Sequence, residues 1–511
     1  MADTKREIER KYEATDATDA TRLPDLSRVA GVGRVVSRGV TELDAVYYDT
    51  ADLRLAADSL TLRRRTGGAD EGWHLKFPVA TGIRDELHEP LADTLPSSFA
   101  ALLRSRLRHG EVAPVVRLLS SRDVQHLTDP DGTLLAEVSV DTVCAERLAG
   151  EGTGTTATWT EIEVELADDG DPAFLDAVEK RLRKAGVRPS ASASKLARAL
   201  AETSLDRDDT GTPKSTPYTA GDHVLTYVRE QIRTIVGLDP AVRRDLPDSV
   251  HKMRVATRRL RSAFKTYRTV LDREVTDPVG AELKWLAGEL GVDRDQEVLD
   301  QRLGARTEAL PGTLVLGPVR GRLRIWSAAR RTGSRRRIVA VLDGKRYLAL
   351  LDTLDALAAD PPLRPAASRA PAKTLPRAVL KDYKKLARRM DHALEHPPGP
   401  ERDAAMHEAR KAAKRARYAA EAARPALGKP AKRFAKRVKA VQTVLGDHQD
   451  SVVARDALRT LAIEAHAAGE TTFTWGLLYG YEEATADARE RELPEVWARA
   501  SDPVLRADLK H

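Results

Sequence analysis

Carboxylates recur at alternate positions in two short segments of the chain. Glu161, Glu163 and Glu165 stand in one segment, and Glu7 and Glu9 stand in the other. In a β-strand, alternate side chains point to one face, so these carboxylates would lie side by side and repel one another. Carboxylate oxygens are the ligands that hard divalent cations prefer. The spacing therefore predicts a metal site on an inner sheet face, and a solvated outer face is the alternative.

Cationic side chains alternate in the same way on the segments between these two. A barrel large enough for a polar interior could place the acidic and the basic strands around one lumen. Carboxylates with a divalent metal on one wall, and Arg or Lys on the other, suit a short polyphosphate. The alternating positions on these segments are Thr61, Arg63, Arg65, His74, Lys76, Arg84, Glu86 and His88.

A basic segment in the second half of the chain occurs twice, at an offset of 156 residues. The first copy begins at His251 and the second at His407. Like charges three or four apart on a helix repel by about 0.2–0.5 kcal/mol per pair. Because the same repulsion occurs at equivalent positions of both copies, we infer that the segment binds an anionic partner. One helix face would hold Arg254, Arg258, Arg261, Lys265 and Arg268, and the opposite face Met253, Leu260, Phe264 and Tyr267.

The charge of the chain is divided unevenly along its 511 residues, a length that predicts about two to four domains. Residues 1–212 hold 28 Lys and Arg against 38 Asp and Glu, a net charge of −10. The remaining residues hold 56 against 39, a net charge of +17. The acidic part would bind a polyanion only with the help of metal ions, whereas the basic part could attract one directly.

The composition also limits the compartment and the kinds of site. No apolar run reaches membrane-spanning length, and residues 1–7 contain no apolar signal region, so we expect a cytoplasmic protein that binds no membrane. The single cysteine, Cys144, excludes an internal disulfide and a cluster of thiolate ligands.

The hydrophobic pattern changes at a polar linker, residues 204–217. Before it, short alternating segments separated by turn signals predict an antiparallel sheet or barrel. After it, the pattern is helical almost throughout, and a Pro-rich breaker at 360–371 divides it in two. A second repeated block, at 283–295 and 438–450, predicts two related helical bundles. The expected fold class is α+β, with several domains.

Glu7-Ile-Glu-Arg-Lys11 matches the Glu-x-Glu-x-Lys signature of the CYTH domain, the triphosphate tunnel metalloenzymes. The order of charged residues after it is similar too, over about residues 3–203. The resemblance implies an eight-stranded antiparallel tunnel that hydrolyses or cyclises a triphosphate with Mg²⁺ or Mn²⁺. It implies that Lys11, Arg63, Arg65, Lys76, Arg117, Arg122 and Lys195 grip phosphate, and that Glu7, Glu9, Asp141, Glu163 and Glu165 hold metal.

Two pairs of residues need separate comment in this assignment. Arg117 and Arg122 are five residues apart, so strict alternation cannot aim both of them inward without a bulge. Glu137 and Glu161 are expected to support the metal ligands without binding the metal themselves.

The repeated basic segments, with Leu290-Gly-Val-Asp-Arg-Asp295 and Leu445-Gly-Asp-His-Gln-Asp450, resemble the CHAD domain, the conserved-histidine α-helical domain. The domain would span residues 218–505, in halves of about 218–359 and 374–505. The resemblance implies paired four-helix bundles that bind inorganic polyphosphate and catalyse no reaction of their own. The candidate binding residues are His251, Arg254, Arg258, Arg261, Lys265, Lys284, Lys385, Arg388, His407, Arg410, Lys414, Arg417, Arg433, Lys436 and Lys439.

Several alternatives stay open at this stage. The barrel could be silent, in a polyphosphate-binding protein that localises to polyphosphate granules, and adenylyl cyclisation would need a purine pocket that the sequence does not reveal. The two histidines could donate to phosphate or pack between helices. Nucleic acid is disfavoured because aromatic residues, on which single strands commonly stack, make up only 5% of the chain. The substrate is open among inorganic triphosphate, thiamine triphosphate, nucleotides and polyphosphate chain ends.

Overall fold

The computed structural model describes residues 3–13, 23–150, 152–204, 218–331 and 334–510. Contacts divide the chain into two compact units, Met1–Pro213 and Lys214–His511. Residues 205–217, most of the predicted linker, lie outside the described residues.

The first unit contains eight long strands, along which inward and outward side chains alternate with a period of two. They are β1 (Asp3–Glu13), β2 (Arg34–Asp49), β3 (Thr61–Thr66), β4 (Gly72–Ala80), β5 (Ile83–Glu89), β6 (Ala113–Thr128), β7 (Leu134–Arg147) and β8 (Thr156–Leu166).

These strands close into one antiparallel barrel. Around the barrel they follow the order β1, β5, β4, β3, β2, β6, β7 and β8, and β8 pairs again with β1. A two-residue strand, β9 (Arg188–Pro189), pairs with the end of β1. The predicted eight-stranded antiparallel barrel is confirmed.

The apolar faces of these strands point outward, beneath helices. Phe99 and Leu103, on one helix, are buried with Leu62 and Leu75 of β3 and β4. A second helix buries Leu175, Val178 and Leu182 against β7 and β8. The polar faces are thereby left for the lumen. The helices of this unit are α1 (Arg54–Ala57), α2 (Ser97–Leu107), α3 (Ala173–Lys184) and α4 (Lys195–Glu202).

The second unit is helical, as predicted. Its helices are α5 (Ala220–Arg243), α6 (Ser249–Thr266), α7 (Arg273–Glu289), α8 (Gly291–Ala309), α9 (Val319–Arg331), α10 (Ser334–Asp343), α11 (Lys345–Ala359), α12 (Pro371–Glu395), α13 (Pro400–Ala467), α14 (Phe473–Ala500) and α15 (Pro503–Asp508). Among the described residues, no helix is both long and apolar enough to span a bilayer.

Helix α13 is two helices joined at Gly428. That glycine has φ 60° and ψ −132°, a left-handed backbone that other residues rarely adopt. The two halves run antiparallel, because Asp403 near the start contacts Arg455 near the end, and Arg410 lies against Gly446.

The two helical halves are joined by one shared core. Its fully buried residues include Leu260 of α6, Tyr347 of α11, Leu386 of α12 and Phe434 of α13. The shared core follows from the packing of α13 against both α5 and α6. A smaller second core, which the sequence does not predict, joins α8 and α9 to α13 and α14 around Trp475.

Candidate functional site

The barrel lumen is a cavity of about 610 Å³ lined largely by charged side chains. Its acidic wall comes from neighbouring strands, because Glu9 of β1 pairs in register with Glu165 of β8, and Lys11 pairs with Glu163. On β8 these positions alternate with Ile162 and Val164, which are buried in the outer core. Alternation of the strand thus aims the carboxylates inward, as predicted.

The opposite wall is basic and comes from β3, β4 and β6. Burial, with repulsion from Arg63 and Arg122, lowers the pKa of Arg65 to about 9. In the described structure, Nε of Arg63 and Nε of Arg65 are buried without a hydrogen-bond partner. Crowded cations with unused donors make this wall suitable for an anion with several oxygens.

Lys195 enters the barrel from the first turn of α4, whose start is fixed by the side chain of Ser194 accepting from the Ala197 amide. Its Nζ lies 2.9 Å from Asp141, 2.7 Å from Glu161 and 2.6 Å from Glu163. Burial opposes the charge on this lysine, but the three carboxylates outweigh burial and raise its pKa. Lys195 is therefore a charged group at one end of the acidic wall.

The predicted role of Arg117 in the lumen is wrong. Between Arg117 and Arg122 the register of β6 with β2 and β7 runs without a bulge, so five residues put the two side chains on opposite faces. Arg122 lines the lumen and donates to both oxygens of Asp141 at 2.7 Å. Arg117 is exposed on the outer surface and is paired with Asp44 at 2.6 Å.

The predicted metal ligands divide into two groups. Glu7, Glu9, Glu163 and Glu165 line the lumen. Asp141 is fully buried beneath Arg122 and Lys195 and is not part of the cavity wall. Its carboxylate therefore holds two of the cations in place.

The lumen carboxylates of Glu7, Glu9, Glu163 and Glu165 are the ligand type that a hard divalent cation prefers. Asp141, Glu161 and Glu163 also present oxygens within 4.8 Å of one another, but the ammonium of Lys195 lies among those three carboxylates. Burial opposes the charge on Glu163, but Lys11, Lys195 and Arg122 outweigh burial and hold its pKa well below its usual range. The ligand is thus deprotonated, which metal binding requires.

Glu86 is a lumen residue that the predicted site does not include. It accepts from Nδ1 of His74 at 2.8 Å and lies 3.5 Å from both Lys76 and Arg63. Burial next to the Glu86 carboxyl raises the pKa of Glu7 to about 8, although Lys76 donates to Glu7 at 2.6 Å. The signal for Glu86 was the alternation of β5, which puts it on the same face as Arg84 and His88.

In the helical unit, the repeated arginines make the same contact in both copies. Arg254 of α6 donates to both oxygens of Asp295, at 2.8 and 3.2 Å, and its guanidinium packs against Gly291. Arg410 of α13 lies 3.6 Å from Asp450 and packs against Gly446. The aspartates and glycines belong to the second repeated block, and the predicted binding residues do not include them.

The structure brings the two copies together. Glu421 accepts from Arg259 of the first copy at 3.1 Å and from Arg417 of the second at 2.8 Å. Burial, reinforced by Arg258 and Arg410, lowers the pKa of Lys414 to about 7. The cations of both copies therefore form one cluster, which we call the basic cluster: Arg254, Arg258, Arg261, Arg410, Lys414, Arg415 and Arg417.

The basic cluster contains donors without partners. In the described structure, Nε of Arg254 and Nε of Arg410, which are equivalent in the repeat, are both buried without a hydrogen-bond partner. The same holds for Nε of Arg261 and Arg417. Burial, followed by neighbouring cations, also lowers the pKa of Arg261. These features suit an anion that supplies acceptors and negative charge.

The remaining predicted residues lie at the edge of this cluster or beyond it. His407 is half-buried, with Nδ1 2.5 Å from Oε1 of Gln449, whereas His251 is exposed. Lys385 and Arg388 line a separate cavity of about 560 Å³ with Lys411 and Arg415. Lys265 and Lys284 are exposed, as are Arg433, Lys436 and Lys439 on the second half of α13.

Comparisons with known proteins divide the chain in the same way. Residues 5–200 match the model of the CYTH domain, and residues 226–459 match that of the CHAD domain. Two solved structures are similar in part. PptA from Streptomyces chartreusis has a TM-score of 0.47 and 22% identity, over 55% of this chain and 99% of its own. The CHAD domain of the plant Ricinus communis has a TM-score of 0.44 and 25% identity, over 56% and 92%.

One relative matches over nearly the whole length. An uncharacterized protein of Mycobacterium tuberculosis is 39% identical over 515 residues, which cover 98% of this chain and 97% of that protein. Both domain models match this chain in the same order as its two structural units. The chain therefore belongs to the family of proteins in which a CYTH domain is followed by a CHAD domain.

Proposed function

We propose that the barrel hydrolyses inorganic triphosphate, or a related short polyphosphate or organic triphosphate, with Mg²⁺ or Mn²⁺. We further propose that the basic cluster binds inorganic polyphosphate. CYTH tunnel enzymes are metal-dependent, and CHAD domains are associated with polyphosphate binding.

One observation carries the enzymatic proposal: acidic and basic walls face one lumen. The acidic wall combines β8 and β1, and the basic wall combines β4, β3 and β6. A linear triphosphate has oxygens along its whole length, so it can contact both walls at once. The cations would bind those oxygens directly, and the carboxylates would bind them through metal.

The side chains have distinct tasks in this proposal. Arg63, Arg65 and Lys76 would grip the chain from the basic wall, with Arg122 and Lys195 at its margins. Glu163 and Glu165, with Glu7 and Glu9 on the adjacent strand, would hold metal. Bound metal supplies charge neutralisation for phosphoryl oxygens and lowers the pKa of water.

The reaction would release one terminal phosphate per cycle. A water oxygen forms a bond to the terminal phosphorus, the bond from that phosphorus to the bridging oxygen breaks, and the bridging oxygen leaves with the remaining pyrophosphate. The proton of the attacking water leaves to solvent or to a lumen carboxylate. Cations that touch the bridging and terminal oxygens stabilise the charge that develops there.

The test is phosphate release by the full chain from inorganic triphosphate, thiamine triphosphate, nucleotides and polyphosphate. We expect metal-dependent release from at least one of them, lost by at least a hundredfold in Lys76→Ala and Glu7→Gln. Lys180→Ala, an exposed position on α3, is the matched control and should keep full activity. Absence of turnover with every substrate and metal would instead support the silent barrel.

The polyphosphate proposal rests on the repeat-equivalent donors of Arg254 and Arg410. Proteins that bind nucleic acid commonly stack its bases on exposed aromatic side chains. Tyr418 is instead buried beneath Arg259 and Arg417, so the cations around it suit evenly spaced phosphates without bases. A charge-assisted hydrogen bond is worth about 1.5–3 kcal/mol, so Arg254→Ala and Arg410→Ala should each weaken binding by roughly 10- to 100-fold.

Anisotropy titrations with labelled polyphosphate measure this loss. Arg499→Ala removes an exposed arginine of α14 that pairs with Glu495, and serves as the control of equal charge. Each variant of the cluster should also reduce the slope of log K against log salt by about one, by analogy with DNA. Equal weakening by Arg499→Ala would mean that net charge alone attracts the polymer.

A further inference from the structure

A second cluster of ligand-type side chains lies in the helical unit, apart from the barrel. Asp403 stands near the start of α13, His448 in its second half and Glu490 on α14. Nε2 of His448 is 3.2 Å from Oδ1 of Asp403 and 3.3 Å from Oε1 of Glu490. The imidazole is 1% exposed, so its nitrogen faces the two carboxylates and not solvent.

The distances lie at the long end of the hydrogen-bond range and also match ligands around one metal ion. An N–H donor usually lies about 2.9–3.0 Å from its acceptor, and one Nε2–H cannot point at two carboxylates together. Ligands about 2.0–2.2 Å from zinc in a tetrahedral site lie roughly 3.4 Å apart. The three atoms of this cluster lie within 4.8 Å of one another.

Two arginines orient the carboxylates. Arg455 donates to Oδ2 of Asp403 at 3.1 Å, and Nε of Arg402 lies 3.1 Å from Oε2 of Glu490. Each carboxylate thus has one oxygen occupied by an arginine and the other turned toward His448. Metal ligands are commonly held in this way by outer partners, which fix their direction.

We propose that Asp403, His448 and Glu490 bind one Zn²⁺ ion, or a similar divalent transition-metal ion, with a fourth coordination position open to water. Imidazole with two carboxylates favours such an ion over Mg²⁺ or Ca²⁺, which take oxygen ligands. The ion would connect both halves of α13 to α14. This site does not depend on the proposed hydrolysis or on polyphosphate binding.

The site lies next to the basic cluster. Asp403 is one helical turn before His407, and His448 directly precedes Gln449, which contacts His407. An ion here would fix the pairing of the two helix halves that carry Arg410 and Asp450. Its role would be structural, so its effect should be seen in binding stoichiometry and in stability.

The experiment uses the full chain, stripped of metal with a chelator and dialysed. Calorimetric titration with Zn²⁺, confirmed by elemental analysis after desalting, should give one more bound equivalent for the wild type than for His448→Gln. Zinc should raise the unfolding midpoint of the wild type by several degrees more than that of His448→Gln. His466→Gln, an exposed histidine on the same helix, is the matched control and should behave as wild type.

A second set of variants distinguishes zinc bound at this site from metal bound in the barrel. Glu163→Gln should keep the zinc equivalent that His448→Gln loses. Asp403→Asn, which preserves shape, repeats the test if His448→Gln does not fold. Equal stoichiometry in the wild type, His448→Gln and Asp403→Asn would overturn the proposal and leave a buried histidine hydrogen-bonded to carboxylates.

Discussion

Arg254 donates two hydrogen bonds to Asp295, and the guanidinium lies over Gly291 at 3.0 Å from where a Cβ would stand. At the equivalent place in the second copy, Arg410 lies 3.6 Å from Asp450, and the contact over Gly446 is wider, at 3.5 Å. The duplication therefore preserved a three-residue contact as well as a charge pattern. Because Arg254 lies closer to Gly291 than Arg410 does to Gly446, an added methyl group should displace the arginine at Gly291 more than at Gly446.

Gly291→Ala should weaken polyphosphate binding by about 3- to 10-fold, because the new methyl group displaces the Arg254 guanidinium. Stability should change little, since alanine favours a helix by about 0.5–1 kcal/mol and the displaced side chain is flexible. Gly446→Ala is the control, because its methyl group meets Arg410 at an ordinary contact distance. Titration with labelled polyphosphate and thermal unfolding measure both effects; equal affinities for the two variants would contradict the role given to Arg254.

Polyphosphate affinity should fall as pH rises through Lys414. Burial, with Arg258, Arg410 and Arg254, lowers the pKa of this lysine to about 7, so the free protein loses its charge above that pH. A bound polyanion favours the charged form and moves the pKa back toward its ordinary value of about 10.4. Binding at pH 8 should therefore take up protons, and affinity should drop by about tenfold between pH 7 and pH 8.5.

Calorimetry at pH 8 in two buffers with different ionisation enthalpies counts those protons. Lys414→Arg stays charged throughout this range and should remove most of the uptake, while Lys384→Arg, on an exposed lysine of α12, should not. Asp450 also faces Lys414 and already has a raised pKa through burial, and a bound polyanion would favour its protonated form as well, so the variant at Lys414 is what separates the two contributions. An unchanged proton count in Lys414→Arg would assign the uptake elsewhere.

Arg122→Ala should lower triphosphate turnover by at least a hundredfold, whereas Arg117→Ala should stay within about twofold of wild type. The first removes a lumen cation and leaves buried Asp141 with Lys195 as its remaining cationic partner, which also destabilises the fold by about 1.5–3 kcal/mol. The second removes an exposed ion pair worth at most about 1 kcal/mol. Steady-state kinetics and chemical denaturation measure the two effects, and a severe loss in Arg117→Ala would restore it to the site.

Chelation should stop phosphate release without unfolding the barrel. Lys11, Lys195 and Arg122 pair with Glu163 and Asp141, so these carboxylates do not depend on metal for neutralisation. Activity should return on addition of Mg²⁺ or Mn²⁺, and circular dichroism with thermal unfolding should show a folded protein throughout. Turnover that persists in excess chelator would exclude the metal-dependent route.

The barrel was predictable from the sequence because alternation leaves little freedom. Once Glu7, Glu9 and Lys11 are placed on one face of β1, pairing with β8 and β5 puts Glu163 and Glu86 beside them. The prediction for Arg117 is wrong for a related reason: the family resemblance implies that Arg117 and Arg122 both face the lumen, whereas strict alternation over five residues puts them on opposite faces.

Tertiary packing decided the features that the sequence did not predict. The contact of Lys195 with three carboxylates depends on how α4 docks on the barrel, which no local pattern encodes. The contact between Asp403 and His448 depends on the reversal of chain direction at Gly428. The helical periodicity of the sequence continues through that position and does not predict the reversal. The shared core of the two helical halves is likewise a matter of long-range packing.

The pairing of β1 with both β5 and β8 leaves the barrel wall without a seam. A chain molecule can therefore reach the lumen carboxylates only by threading through a mouth, one terminus first. Internal phosphates of a long polymer arrive only after the terminal ones have passed or been removed. The strand order therefore favours chain ends over chain middles before any side chain has made a contact.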